Sequence, residues 1–290
     1  MFEGTYTALV TPFKNGKIDE EALRLLVREQ VDAGVDGLVP CGSTGESATL
    51  THGEHETVIS ITIEEAAERV KVVAGTGSNN TAEAVELTGY AAKAGADGAL
   101  LIAPYYNKPT QEGLFQHYRT IADAVDLPLV LYNIPGRTAV NMTAETIARL
   151  AVHTNIVGIK EASGSLDHAM DILALCGEEF RVISGDDSLT LPLMSVGAAG
   201  VISVVSNLVP ETMCDLVSAA ASGDFAAARS VQKRLLPLMR ALFVQTNPVP
   251  VKTALAMMGK VHEEFRLPLT RMPDDLRGGL QSALAAAGLV

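Results

Sequence analysis

Basic charge is scarce in this chain: 22 lysines and arginines stand against 34 aspartates and glutamates, a formal net charge of −12. Nucleic acid and anionic membrane surfaces both call for a basic footprint, so neither is expected as a partner, and any anionic ligand must be held by local donors. Long apolar runs are missing as well, none approaching the roughly 20 residues that cross a bilayer. The opening Met1-Phe2-Glu3-Gly4-Thr5-Tyr6 has neither the basic region nor the apolar block of a signal peptide. We therefore expect the mature chain to be the whole chain and to be cytoplasmic. Cysteine is rare: Cys41, Cys176 and Cys214 are odd in number, widely spaced and set among apolar neighbours. That suits reduced packing thiols better than disulfides or a metal site.

What is present is a chain of 290 residues, 48% hydrophobic, long enough for one large α/β barrel or two small domains. Eight short apolar runs recur, each followed by a loop and a helical pattern: 7–10, 37–40, 70–74, 99–103, 129–132, 156–160, 181–184 and 200–204. Strands alternating with helices pair in parallel through right-handed crossovers, and eight units close a (β/α)8 TIM barrel, with an open doubly wound sheet as the alternative. Ala33-Gly34-Val35-Asp36-Gly37 recurs as Ala94-Gly95-Ala96-Asp97-Gly98 and loosely as Gly197-Ala198-Ala199-Gly200. In each, the first glycine suits the left-handed position that stops a helix just before the next strand. Thr51-His52-Gly53-Glu54 and Asn80-Thr81-Ala82-Glu83 match the capping box, which places His52, His55 and Glu83 in or beside first helical turns. Beyond Val204 the pattern is helical only: 210–223, 224–243 with a kink at Pro237, and Pro250 to the end. We expect a barrel over 1–207 and a C-terminal helical extension over 208–290 packed on it.

In such a barrel, reactive groups lie at the C-terminal ends of the strands. The run Ile156-Val157-Gly158-Ile159 ends on Lys160, where burial would lower the amine's pKa and make it a nucleophile able to form a Schiff base with a carbonyl. The plain alternative is a strand-end lysine that reaches solvent or pairs with Glu161. Gly42-Ser43-Thr44-Gly45 offers amides and hydroxyls to a carboxylate, or is an ordinary turn. Tyr132 is a proton donor and acceptor beside a forming imine, or a rim tyrosine. Arg137, just beyond it, suits bidentate capture of a carboxylate, or is a surface arginine. Asp186 and Asp187 have no histidine or third carboxylate at neighbouring strand ends, so we expect a structural role and no metal.

Gly42-Ser43-Thr44-Gly45-Glu46-Ser47, Tyr105-Tyr106-Asn107, Leu131 to Thr138, Gly158-Ile159-Lys160-Glu161-Ala162, Gly185-Asp186-Asp187 and Asn247-Pro248-Val249-Pro250-Val251-Lys252 occur in one order along nearly the whole chain. As a set they resemble the dihydrodipicolinate synthase family of the pyruvate-dependent class I aldolase superfamily. The resemblance implies a cofactor-free condensation of pyruvate with L-aspartate 4-semialdehyde. Lys160 would form the Schiff base, and Thr44, Gly185 and the carbonyl of Ile202 would hold pyruvate. Tyr132 would move protons through Ser43 to Tyr106, which a neighbouring subunit lends, and Arg137 would hold the semialdehyde carboxylate. The family usually has threonine where Ser43 stands; serine keeps the relaying hydroxyl but loses the methyl that restricts its rotamers. The resemblance further implies a homotetramer, a dimer of dimers, with L-lysine inhibiting at Ser47, Ala48, His52, His55, Asn79, Glu83 and Tyr105. The plainer reading makes Glu83 a helix cap and the two histidines solvated. Rival functions are a lyase for sugar acids, from which Arg137 discriminates, a non-catalytic binding barrel, and a pyridoxal phosphate enzyme, for which no clear phosphate loop is seen.

Overall fold

The computed structural model describes residues 2–290. Eight strands, β1 (Gly4–Ala8), β2 (Gly37–Val39), β3 (Lys71–Gly75), β4 (Gly98–Ile102), β5 (Leu129–Asn133), β6 (Ile156–Glu161), β7 (Arg181–Ser184) and β8 (Gly200–Ser203), close a parallel barrel in sequential order, with β1 between β2 and β8. Side chains alternate. Tyr6, Ala8, Val39, Val73, Leu100, Val130, Tyr132, Ile183 and Ile202 fill the interior. Leu38, Val72, Leu101, Leu131, Ile159 and Val182 pack outward in a second core shared with the surrounding helices. No helix among the described residues is long and apolar enough to cross a membrane.

Helices begin on the face where the strands end because side chains satisfy their first amides. Thr51 and Glu54 form the expected reciprocal box. Asn80 caps Ala82, but the second box does not form: the Asn80 amide donates to Ser78 Oγ at 3.0 Å, and Glu83 turns to Ser78 and His52 instead. On the opposite face Gly34, Gly95 and Gly197 take φ of +81°, +93° and +117°, as the repeat implies. Asp36 and Asp97 then accept from the amides of Thr5 and Val72 at 2.7 and 2.9 Å, stitching each turn to the neighbouring strand.

Two expectations need correction. The first strand begins at Gly4 rather than Thr7, its polar Thr5 and Thr7 being buried with hydroxyls that donate to Met213 O and Gln30 Oε1, at 3.5 and 2.7 Å. The tail beyond Pro250 is two helices, Val249–Met257 and Asp274–Ala286, because Gly259 turns left-handed at φ +74° and prolines 268 and 273 follow. The three cysteines are free, Cys41 buried in the core and Cys176 and Cys214 half-buried and packed against it, as expected of packing thiols. The helix Pro210–Ala221 packs on β1, and Phe225–Ala241 runs through Pro237 against it.

Of the ion pairs that fasten the extension to the barrel among the described residues, one is fully buried. Lys252 and Glu46, both fully buried, are hydrogen-bonded, and Lys252 Nζ also donates to Glu264 O at 2.8 Å and lies 4.2 Å from the Phe13 ring centroid. Burial lowers the Lys252 pKa, and Glu46 opposes that. Removing one partner leaves a buried charge uncompensated. Glu46→Gln should therefore lower unfolding free energy in urea by about 3–5 kcal/mol, while the double variant Glu46→Leu with Lys252→Met should recover most of it. A single-variant loss below about 1 kcal/mol would show the pair to be a bystander.

Candidate active site

Register decides what meets at the barrel mouth. Lys160 on β6 pairs across from Tyr132 on β5 and from Ile183 on β7. Both Lys160 and Tyr132 point inward, so Lys160 Nζ stands 4.4 Å from the Tyr132 ring centroid. The next residues point the other way. Glu161 accepts from Asn133 Nδ2 at 3.0 Å and from the Ser163 amide, on the helix side of the sheet. The pairing of Lys160 with Glu161 therefore does not form, and among the described residues Lys160 has no salt bridge. Gly185 leaves room for the stem: a Cβ there would come within 3.0 Å of Lys160 Cε. The lysine is 5% exposed, and burial pushes its amine down to about 8, Arg137 adding to the effect and Asp187 opposing it. At pH 7 such an amine is neutral roughly three-hundredfold more often than an ordinary lysine.

Tyr132 is buried, which pushes its hydroxyl up to about 12, with Arg137 and the Ser43 hydroxyl acting against the rise. Ser43 and Thr44 lie in the tight loop after β2, which non-glycine residues Cys41 and Glu46 curl with φ of +56° and +53°. Gly45 and Glu46 donate back into that loop, whereas the amides of Ser43 and Thr44 have no acceptor among the described residues. Arg137 sits in the short helix Pro135–Thr138 directly after β5 and donates to Asn247 O at 2.7 Å. Ile202 shares the buried interior cluster with Tyr132. Asp186 caps Ser188, and Asp187 Oδ2 accepts from the amides of Val204 and Val205 at 3.0 and 2.9 Å, so both aspartates tie loops together. Tyr106 stands apart at 90% exposure with φ +70°, held on a loop whose Asn107 donates to Asn79 O.

A cavity of about 420 Å³ opens beside these groups. Ser43, Tyr132 and Arg137 line it together with Ser47, Ala48, His52, His55, Glu83 and Tyr105. Lys160 and Thr44 are not on its wall, although Lys160 Nζ lies over the ring of Tyr132, which is. On its wall His52 Nε2 donates to Glu83 Oε1 at 2.9 Å, and nearby Asn79 Nδ2 donates to Tyr105 O at 3.1 Å. The Ser78 hydroxyl, then His52, hold the Glu83 carboxyl below its usual range, and Glu83 raises His52. His55 is buried, its pKa lowered by desolvation, so it is not the solvated side chain of the plainer reading.

Sequence reasoning did not assign Asn247, whose Nδ2 donates to Thr44 Oγ1 at 2.9 Å. It stood in view as part of an Asn-Pro-Xaa-Pro run, but no local pattern says that residue 247 reaches residue 44.

The comparisons with known proteins agree along the whole chain. The profile of the dihydrodipicolinate synthetase family matches residues 1–287. The chain is 59% identical, over 291 residues and 100% of both chains, to 4-hydroxy-tetrahydrodipicolinate synthase of Syntrophobacter fumaroxidans. Among solved structures it is similar to dihydrodipicolinate synthase of Aquifex aeolicus, with TM-score 0.98, 50% identity and 99% of each chain covered. It is also similar to the Acinetobacter baumannii synthase complexed with pyruvate (TM-score 0.98, 44% identity, 100% of each chain). A synthase of Cyanidioschyzon merolae with lysine bound matches at TM-score 0.97 and 43% identity, over 100% of this chain and 99% of that one.

The lowered Lys160 pKa has a direct readout. Only the neutral amine is methylated by formaldehyde and cyanoborohydride, so modification of Lys160 should rise with a midpoint near pH 8 while surface lysines follow near ~10.4. Peptide mass mapping across pH measures both, and a Lys160 midpoint coinciding with the surface set would contradict the role of burial.

Proposed function

The chain belongs to the dihydrodipicolinate synthetase family and is a lyase-type enzyme, and on that premise we propose that it condenses pyruvate with L-aspartate 4-semialdehyde through a Schiff base on Lys160. The observation that carries the reading is a buried lysine without a carboxylate partner, its pKa pushed down to about 8, packed beside a tyrosine at a barrel mouth. The neutral amine attacks the ketone carbon of pyruvate; the ketone oxygen leaves as water and an iminium remains. The iminium nitrogen accepts the electron pair released when a methyl proton departs, giving an enamine. The enamine carbon then bonds to the aldehyde carbon, and the aldehyde oxygen takes a proton from Tyr132 to become a hydroxyl. Attack of the semialdehyde's own amine on the imine carbon closes the ring and returns Lys160 as a free amine, yielding 4-hydroxy-tetrahydrodipicolinate. Thr44, Gly185 and Ile202 hold pyruvate, Arg137 holds the semialdehyde carboxylate, and Ser43 links Tyr132 to Tyr106 of a neighbouring subunit. The pyruvate complex of the Acinetobacter relative supports the first substrate.

Tyr106, exposed at 90%, suits a side chain lent across an interface of a homotetrameric dimer of dimers. Residues 1–207 form the catalytic barrel, and 208–290 are the helical extension that completes its outer packing. The cytoplasm, a reducing compartment, suits three unpaired thiols. Pyruvate with borohydride should add one reduced pyruvyl group at Lys160 and abolish turnover, because reduction turns the imine into a stable secondary amine. Lys160→Arg keeps the charge but makes no imine; substantial turnover in that variant, or label on another lysine, would sink the mechanism.

L-Lysine inhibits, in this reading, by binding beside the His52–Glu83 pair, where Glu83 takes the ligand ammonium and Ser47, Ala48, His52, His55, Asn79 and Tyr105 surround it. The lysine-bound Cyanidioschyzon relative supports this. Millimolar lysine should inhibit partially, without full competition against pyruvate. Glu83→Ala should relieve that inhibition and leave the uninhibited rate nearly unchanged; indifference of the unaltered enzyme to saturating lysine would show that these residues serve packing alone.

A further inference from the structure

Asn247 comes from the helical extension, yet it stands between the two halves of the barrel-mouth site. Its Nδ2 donates to Thr44 Oγ1 at 2.9 Å, and its main-chain carbonyl accepts from Arg137 at 2.7 Å. The residue is 7% exposed, and its Oδ1 is buried with no partner among the described residues. Turning the amide over would bury two N–H donors without acceptors in place of one oxygen, and would use up the Thr44 proton. A threonine hydroxyl carries a single proton. Because Thr44 Oγ1 accepts from Asn247 and donates to no group among the described residues, that proton is left for a ligand, next to the unused amides of Ser43 and Thr44.

We propose that Asn247 is a positioning residue for the pyruvate half of the site: its side-chain amide orients the Thr44 hydroxyl as a donor to pyruvate, while its main-chain carbonyl separately steadies Arg137. The inference rests on the synthase reading above. Its two contacts are separable, because a side-chain substitution removes the first and keeps the second. An acceptor in place of the Nδ2 donor reverses the Thr44 proton and turns it away from pyruvate.

Steady-state kinetics on the full chain test this with Asn247→Ala, Asn247→Asp, Thr44→Val and the Asn247→Ala/Thr44→Val double variant. Asn247→Ala should raise the pyruvate KM about five- to tenfold, the weight of one neutral hydrogen bond, with the semialdehyde KM within about twofold. In the Thr44→Val background the same change should cost nothing further, and Asn247→Asp should be at least as damaging as alanine although nearly isosteric. Equal rises in both KM values, or effects of Asn247→Ala and Thr44→Val that add in full, would overturn the proposal. Borohydride trapping of pyruvate on Lys160 reports on each variant's fold, and if Asn247→Ala does not fold, Asn247→Asp carries the same comparison of KM values. Absence of trapping in the unaltered protein would refute the synthase reading itself, whereas intact trapping without the KM split refutes only the role of Asn247.

Discussion

Desolvation of one amine is the constraint on which the site depends. An ammonium at the position of Lys160 loses water on every side and gains no salt bridge in return, so its charged form is disfavoured. The strand's pleat enforces the arrangement: Lys160 inward forces Glu161 outward, and Asn133 and Ser163 occupy that carboxylate so that it cannot serve as a counter-ion. Had the register of β6 slipped by one residue, the acid would face the barrel interior and the amine the helices. Asp187 tempers the shift from farther off, and its own loop-tying bonds to Val204 and Val205 keep it in place.

The second organising feature is that the barrel mouth is furnished from distant parts of the chain. Thr44 comes from the loop after β2, Arg137 from the turn after β5, and Asn247 from the extension, and hydrogen bonds of 2.9 and 2.7 Å link all three. The same loop after β2 supplies Ser43 to the tyrosine side and Ser47 to the part of the cavity that holds His52 and Glu83. One short loop thus lines the cavity beside both Tyr132 and the His52–Glu83 pair.

Much of this was legible in the sequence because a parallel barrel writes itself as repeated apolar runs with glycine stops. Lys160, Tyr132 and Arg137 were readable for the same reason, since each lies where a strand ends and so on the reactive face. What escaped was set by tertiary partners. Thr5 and Thr7 read as polar, yet their hydroxyls are satisfied by residues of other elements, so the strand start was placed too late. Glu83 matched a local capping pattern, but Ser78 and His52 outcompeted the Asn80 amide for it. Asn247 and Lys252 stood in a recognisable run, but no local pattern names their partners Thr44 and Glu46, which lie 203 and 206 residues away.

That last separation has a meaning in time as well as in space. A ribosome adding 5–20 residues per second delivers Lys252 roughly ten to forty seconds after Glu46. Throughout that interval the carboxylate that the folded protein buries in the loop after β2 lacks its lysine, and the Asn15 and Gly16 amides, at the turn of a short hairpin over Phe13–Ile18, lack the Glu264 carboxylate that accepts from them. The contact that neutralises this buried carboxylate is thus among the late ones the growing chain can make, because both its lysine and the Glu264 carbonyl that shares it lie in the extension.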